Sequence, residues 1–164
     1  MIKNTKTDLI IILAIVCIVM GFVLKSEDIK VNKNMNKFEQ NLDNLLNNQN
    51  HTCKDLFDFD YDMVYVFQPY LNKNQIEKEI GFKYWKIKET INENMMNILF
   101  IKDNKPVVYL YGYPEDSGYY IDIPIGKYEK SNLDKVKYNS KEVYLGSSST
   151  GEKTFIEYTV NMVK

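Results

Sequence analysis

Apolar residues follow different rhythms along this chain, and each rhythm predicts a different element. The first is unbroken: "LIIILAIVCIVMGFVL", Leu9 to Leu24, has no charged or strongly polar side chain and is bounded by Asp8 and Lys25. At about 1.5 Å per residue such a helix spans roughly 24 Å, a little short of a hydrocarbon core of about 30 Å, and flanking lysines can close the gap by reaching to the headgroups. The run predicts a membrane helix. In the second rhythm, Val31, Met35, Phe38, Leu42 and Leu45 recur in steps of four and three, opposite a face of Asn, Lys, Glu and Asp. That is an amphipathic helix. Its stripe suits either the core of its own domain or a short coiled coil with a second copy, and with barely two heptads the core is the expectation.

The third rhythm has period two. In "FDFDYDMVYVFQ" the odd positions are Phe57, Phe59, Tyr61, Met63, Tyr65 and Phe67, and the even ones are Asp58, Asp60, Asp62, Val64, Val66 and Gln68. The alternation predicts a strand whose odd face is buried throughout and whose even face is buried only after Asp62. Pro69 ends it, Asn72 with Gln75 three residues later marks a helix N-cap, Gly81 closes that helix, and Ile76 and Ile80 point inward. "MNILFIK" and "VVYLYGYP" flank "DNKP" as a hairpin, and "GYYIDIP", "KEVYLG" and "KTFIEYTVNMV" supply further strands, with "SSSTGE" as the last turn. The expected fold is α+β: an N-terminal transmembrane helix, then helices packed on an antiparallel β-sheet. It divides into a membrane anchor at 1–26, an amphipathic helix at 27–50 and an α+β domain at 51–164.

Three fates compete for the apolar run. Signal cleavage wants small residues before the cut, where "FVLKSED" places Leu24 and Lys25. A lipoprotein signal would lipidate Cys17, but "LAIVC" has Val16 where a small residue belongs and the run continues past it. A retained single-pass anchor is the expectation, with the lipoprotein as its alternative. Lys25, Lys30, Lys33 and Lys37 follow the helix and outnumber Lys3 and Lys6 ahead of it, which favours a cytoplasmic domain. A tail of a few residues before a first hydrophobic helix usually stays in the cytoplasm, so the domain is expected to be extracytoplasmic.

Charge narrows the partners. Lys plus Arg is 21 against 22 Asp plus Glu, and every basic residue is lysine, so neither a basic field nor bidentate Arg contacts support nucleic-acid binding. Beyond the apolar run Cys53 is the one thiol and His51 the one histidine, which leaves no zinc spacing and no internal disulfide; Cys53 reads as a buried small hydrophobe and His51 as a loop residue. No Gly-x-Ser-x-Gly elbow or phosphate-binding Gly-Lys-Ser/Thr ending occurs, and "LGSSSTGEK" reads as a turn. No catalytic residue and no cofactor is assigned.

Two clusters remain. Asp58, Asp60 and Asp62 are spaced like calcium-loop ligands, but the sixth and twelfth places counted from Asp58 are Met63 and Pro69 rather than Gly and Glu. Carboxylates along an extended strand stand about 7 Å apart, so the first reading is a solvated strand start and the second a divalent-ion site or ion-dependent enzyme. Tyr109, Tyr111 and Tyr113 share one face of "VVYLYGY" while Val108 and Leu110 share the other. They form either a binding stripe for a protein or glycan of the envelope or a surface covered by another element.

The strings "DYDMVYVFQPYLNKNQIEKEIGF" and "NILFIKDNKPVVYLYGYP" resemble a family of small bacterial lipoproteins and membrane-anchored envelope proteins, the match covering roughly Asp58 to Tyr113, about a third of the chain. The shared pattern is Asp-aromatic-Asp, an aromatic strand ending in Pro-Tyr, and a helix closing on Ile-Gly. The resemblance implies an envelope location. It carries over no functional residue, and many members look like lipoproteins, a feature that Val16 before Cys17 does not support.

Overall fold

The computed structural model describes residues 5–45, 51–148 and 151–162. The chain folds as α+β. Helix α1, Thr5–Leu45, joins the first two rhythms in one uninterrupted helix. It is the one described helix long and apolar enough to cross a membrane. Its first half is bare, with Leu9 to Met20 exposing 47–68% of each large apolar side chain. Its second half belongs to the domain: Val31, Phe38, Leu42 and Leu45 are buried and Met35 is partly so. Burial of a side chain of this size contributes about 1.5–3 kcal/mol, so this stripe fastens α1 to its own core. The remainder of the 27–50 expectation, residues 46–50, lies outside the described residues.

After the short α2, Cys53–Leu56, the expected strand is mostly replaced by an irregular segment, and only β1, Met63–Val66, is paired. Phe59 N–H donates back to Phe57 O (2.7 Å), a tight turn that breaks extension. At Asp62 the chain bends, and the alternation slips by one residue. Phe57, Phe59 and Tyr61 therefore share a core with the even residues Val64 and Val66, whereas Tyr65 and Phe67 face another. The odd side chains are buried, apart from the half-buried Met63, but they do not lie on one face.

Helix α3, Lys73–Ile80, has the expected ends: Asn72 Oδ1 accepts from Gln75 N (3.0 Å), Gln75 Oε1 accepts from Asn72 N (2.9 Å), and Gly81 takes the left-handed C-cap at φ 84°. Strands β2, Met96–Lys102, and β3, Lys105–Gly112, form the hairpin, turning through Asp103 (φ 50°) and Asn104 (φ 57°) as two-residue hairpin loops require. A bulge opposite Phe100/Ile101 places Pro106, which cannot donate to a ladder, beside the irregularity on an edge strand. That edge is partly covered by α1, whose Asn34 Nδ2 donates to Val107 O (3.0 Å).

One expected sheet is two. The larger has order β3-β2-β1-β5, all antiparallel, and includes β5, Gly126–Glu129, a short strand that sequence patterning did not single out. The smaller has order β4-β7-β6, from β4, Tyr119–Asp122, β6, Tyr138–Ser148, and β7, Gly151–Val160. There β4 and β7 run parallel, because the chain passes through β5, a short helix at Lys130–Leu133, and β6 between them. Ser149 and Thr150 of the last expected turn lie outside the described residues. Between α1, α2, the larger sheet and the smaller one lies the main core, with Phe38, Phe57, Phe100, Leu110, Leu133 and Tyr158 nearly inaccessible. A second, smaller core under α3 lies on the other face of the larger sheet.

Candidate functional site

The three aspartates are exposed, and each turns to a different neighbour. Asp58 meets Lys37 of α1, whose Nζ lies 3.0 Å from Oδ2 and also donates to the Asp58 carbonyl (2.6 Å). Asp60 pairs with Lys102 at the end of β2, and this charge-assisted hydrogen bond holds its carboxyl below the ordinary range. Asp62 Oδ2 accepts from Asp103 N in the hairpin turn (2.9 Å), while its backbone is bonded to Ile101 O and to Lys130 N. The carboxylates thus tie the irregular segment to α1, β2 and the turn. Among the described residues no group of three or more His, Cys, Asp or Glu side chains is placed to hold a metal ion.

The tyrosines do not form an open stripe. Val108 and Leu110 are buried in the main core as expected, but Tyr109, Tyr111 and Tyr113 are half-buried on the opposite side. The segment after α3 lies over Tyr109 and Tyr111: Lys88 N donates to the Tyr109 hydroxyl (3.2 Å) and the Tyr111 hydroxyl donates to Glu89 O (2.7 Å). Burial pushes the Tyr109 phenol well above its ordinary range. Tyr109 packs against the smaller core beside Tyr84, so its work is bracing. Tyr111 and Tyr113 keep accessible ring surface at the end of β3, and the Lys88 ammonium stands 5.2 Å from the Tyr111 ring centre.

Reactive side-chain types gather at one other place. His51 Nδ1 lies 3.7 Å from Asp55, its ring is stacked on Tyr138, and Cys53 is two residues away. Cys53 is fully buried, and burial, followed by Asp134 and Asp55, pushes its thiol up to about 12. A thiol held protonated and out of contact with solvent is a core residue rather than a nucleophile.

A third surface was not singled out by sequence reasoning. Immediately after the apolar run α1 is clamped to the domain at two points, Glu27 to Lys105 and Asp28 to Lys86, each at 2.9 Å. Beside the clamp lies an open groove of about 780 Å³ lined by Lys25, Asp28, Lys73, Glu77, Lys83 and Trp85. Trp85 is 62% exposed. Next to it Tyr84 is buried, and its hydroxyl has no hydrogen-bond partner among the described residues. The signal that could have found this surface is "FKYWKIK", Phe82 to Lys88, where the chain's one tryptophan is set among lysines. What the string could not show is that it folds back against the end of the apolar helix. No protein-family model, curated protein or solved structure matches the chain.

Proposed function

We propose that the protein is a membrane-tethered binding domain on the extracytoplasmic face of the cell membrane, anchored through Leu9 to Leu24. The observation that carries this reading is α1 itself, which passes without a break from a bare apolar half into a half whose stripe is core. A helix with large apolar side chains exposed all around is stable where lipid replaces water, and the domain is then held directly above the bilayer. The resemblance to membrane-anchored envelope proteins supports the same location. Tyr111, with Lys88 beside it, and Tyr113 offer the rigid amphipathic surface suited to a protein or glycan of the envelope.

Two measurements test this. External protease added to intact cells should digest the domain while the chain fractionates with membranes; protection until lysis would place the domain in the cytoplasm, and lipid labelling at Cys17 would replace the spanning anchor with a lipoprotein. A photo-crosslinker at Tyr113 should give a discrete adduct in living cells, and one at Lys54, on α2, should not. Equal, diffuse labelling at both positions would rule out a binding surface at the end of β3.

A further inference from the structure

We infer that the groove beside the end of the apolar run is a lipid-headgroup contact, with Trp85, Lys25 and Lys83 seated among the anionic headgroups of the bilayer that α1 crosses. The inference rests on the reading of α1 as a membrane span, and it is independent of which side the domain occupies. Depth is the first argument. Lys25 directly follows Leu24, and at about 1.5 Å rise per residue Asp28 lies only about 6 Å farther along the helix, within the headgroup layer that covers each side of the hydrocarbon core. Both Lys25 and Asp28 line the groove with Trp85, so Trp85 is at the same level.

Charge is the second argument. Each carboxylate on the groove already has a lysine: Asp28 is paired with Lys86 at 2.9 Å and Glu77 with Lys73 at 3.8 Å. Lys25 and Lys83 make no ion pair among the described residues, so the groove carries surplus positive charge toward the layer where lipid phosphates lie. The third argument is the indole. Trp85 presents most of its surface outward although apolar space was open to its neighbours Tyr84 and Ile87, both buried. An indole with an apolar body and one N–H donor is the side chain enriched where hydrocarbon meets headgroups, and lysine stems beside it can lie along the same boundary.

Because the chain has a single tryptophan, its fluorescence reports this position alone. The full-length chain is reconstituted into mixed phosphatidylcholine and phosphatidylglycerol vesicles, with bromine near the headgroup end of the acyl chains on one lipid or the other. Trp85 emission should be quenched in both preparations, and several-fold more strongly when the bromine is on phosphatidylglycerol. The variant Lys25→Gln/Lys83→Gln, altering two exposed side chains, should be quenched equally by the two lipids. Three results would overturn the inference. If the chain floats with vesicles and resists alkaline extraction while Trp85 is unquenched, the tether stands and the headgroup contact fails. If the parent chain is quenched equally by both lipids, the contact does not select anionic headgroups. If the chain neither floats nor resists extraction, the membrane reading fails and this inference fails with it.

Discussion

The two faces of the four-stranded sheet bury comparable kinds of residues but are closed in different ways. The main face is sealed by α1, α2 and a second sheet, and its center is a cluster of rings in which Phe100 lies 4.8 Å from Phe57, 5.1 Å from Phe59 and 5.2 Å from Tyr61. The other face is covered by one eight-residue helix and the irregular segment after it, held by tyrosine hydroxyls and backbone bonds. A face closed by several elements has many sources of buried apolar contact, whereas a face closed by one helix depends on that helix keeping its ends. The tyrosines proposed for binding and the groove proposed for headgroup contact both belong to the thinly covered side. Local opening there would disturb function before it unfolded the molecule.

Alkali should break both faces, and it is the largest effect expected. Burial holds Cys53, Tyr84 and Tyr138 up to about 12, against ordinary values of 9.0 for the thiol and 10.0 for the phenols, and moves Tyr61 and Tyr109 up as well. From about pH 9 to 12 the unfolded chain loses protons that the folded chain retains, so the unfolded state binds fewer protons and stability falls as pH rises. Thermal melts followed by circular dichroism should show a midpoint that declines steadily above about pH 9. Cys53→Ala should delay the onset toward the tyrosine range; a midpoint unchanged up to pH 11 would mean these groups are not buried as described.

Single truncations sharpen the contrast. Phe100→Ala should cost about 3–5 kcal/mol in denaturant unfolding, near the upper end because its cavity is walled by three other rings. Phe67→Ala on the thin face should lie near the lower end, about 3 kcal/mol, since α3 can settle into the space. Equal costs would show that the two faces are equally rigid.

Removing the helix cap acts on one face only. Asn72→Ala removes the side-chain acceptor of the Gln75 N–H, along with the reciprocal cap, and should lose about 1 kcal/mol. Hydrogen exchange should then rise in α3 and in the segment over Tyr109, while α1 and β2 stay protected. Uniform acceleration throughout the domain would contradict the independence of the two faces.

The aspartates give the smallest effects, and unequal ones. Asp58→Asn and Asp60→Asn each weaken an exposed ion pair and should leave the denaturant midpoint almost unchanged. Asp62→Ala removes the acceptor for the turn amide of Asp103 and should cost about 1 kcal/mol. If Asp58 and Asp60 together cost several kcal/mol, and the parent chain alone is stabilised by added calcium or magnesium, the divalent-ion reading would replace the structural one.

Much of the fold was legible because local rules were obeyed. Asn72, Gln75 and Gly81 mark both ends of α3 through backbone donors and acceptors a few residues away, and Asp103-Asn104 marks the hairpin by tolerating positive φ. The candidate sites were less legible. The spacing of Asp58, Asp60 and Asp62 was visible, but their partners come from two distant places in the chain, Lys37 on α1 and the adjacent Lys102 and Asp103 at the hairpin turn. Tyr109 and Tyr111 lie on the face that the alternation predicts, yet what covers them is a segment with no period of its own.

What the sequence determined by itself is the set of properties that neighbouring residues settle: an apolar run suited to lipid, an amphipathic stripe, a capped helix, a hairpin, and the solvent exposure of the three aspartates. Only the tertiary structure decided that the apolar run and the stripe form one helix, that the alternation slips at Asp62 so that Tyr61 and Tyr65 enter different cores, and that Trp85 comes to lie beside Lys25. The physical reason is range. Hydrogen-bonding and patterning signals act over a few residues, whereas the bend at Asp62 is held by Ile101 of β2 and by Lys130 at the start of a short helix, and the clamp at Asp28 by Lys86. Those partners share no pattern in the sequence, and only the packed chain brings them together.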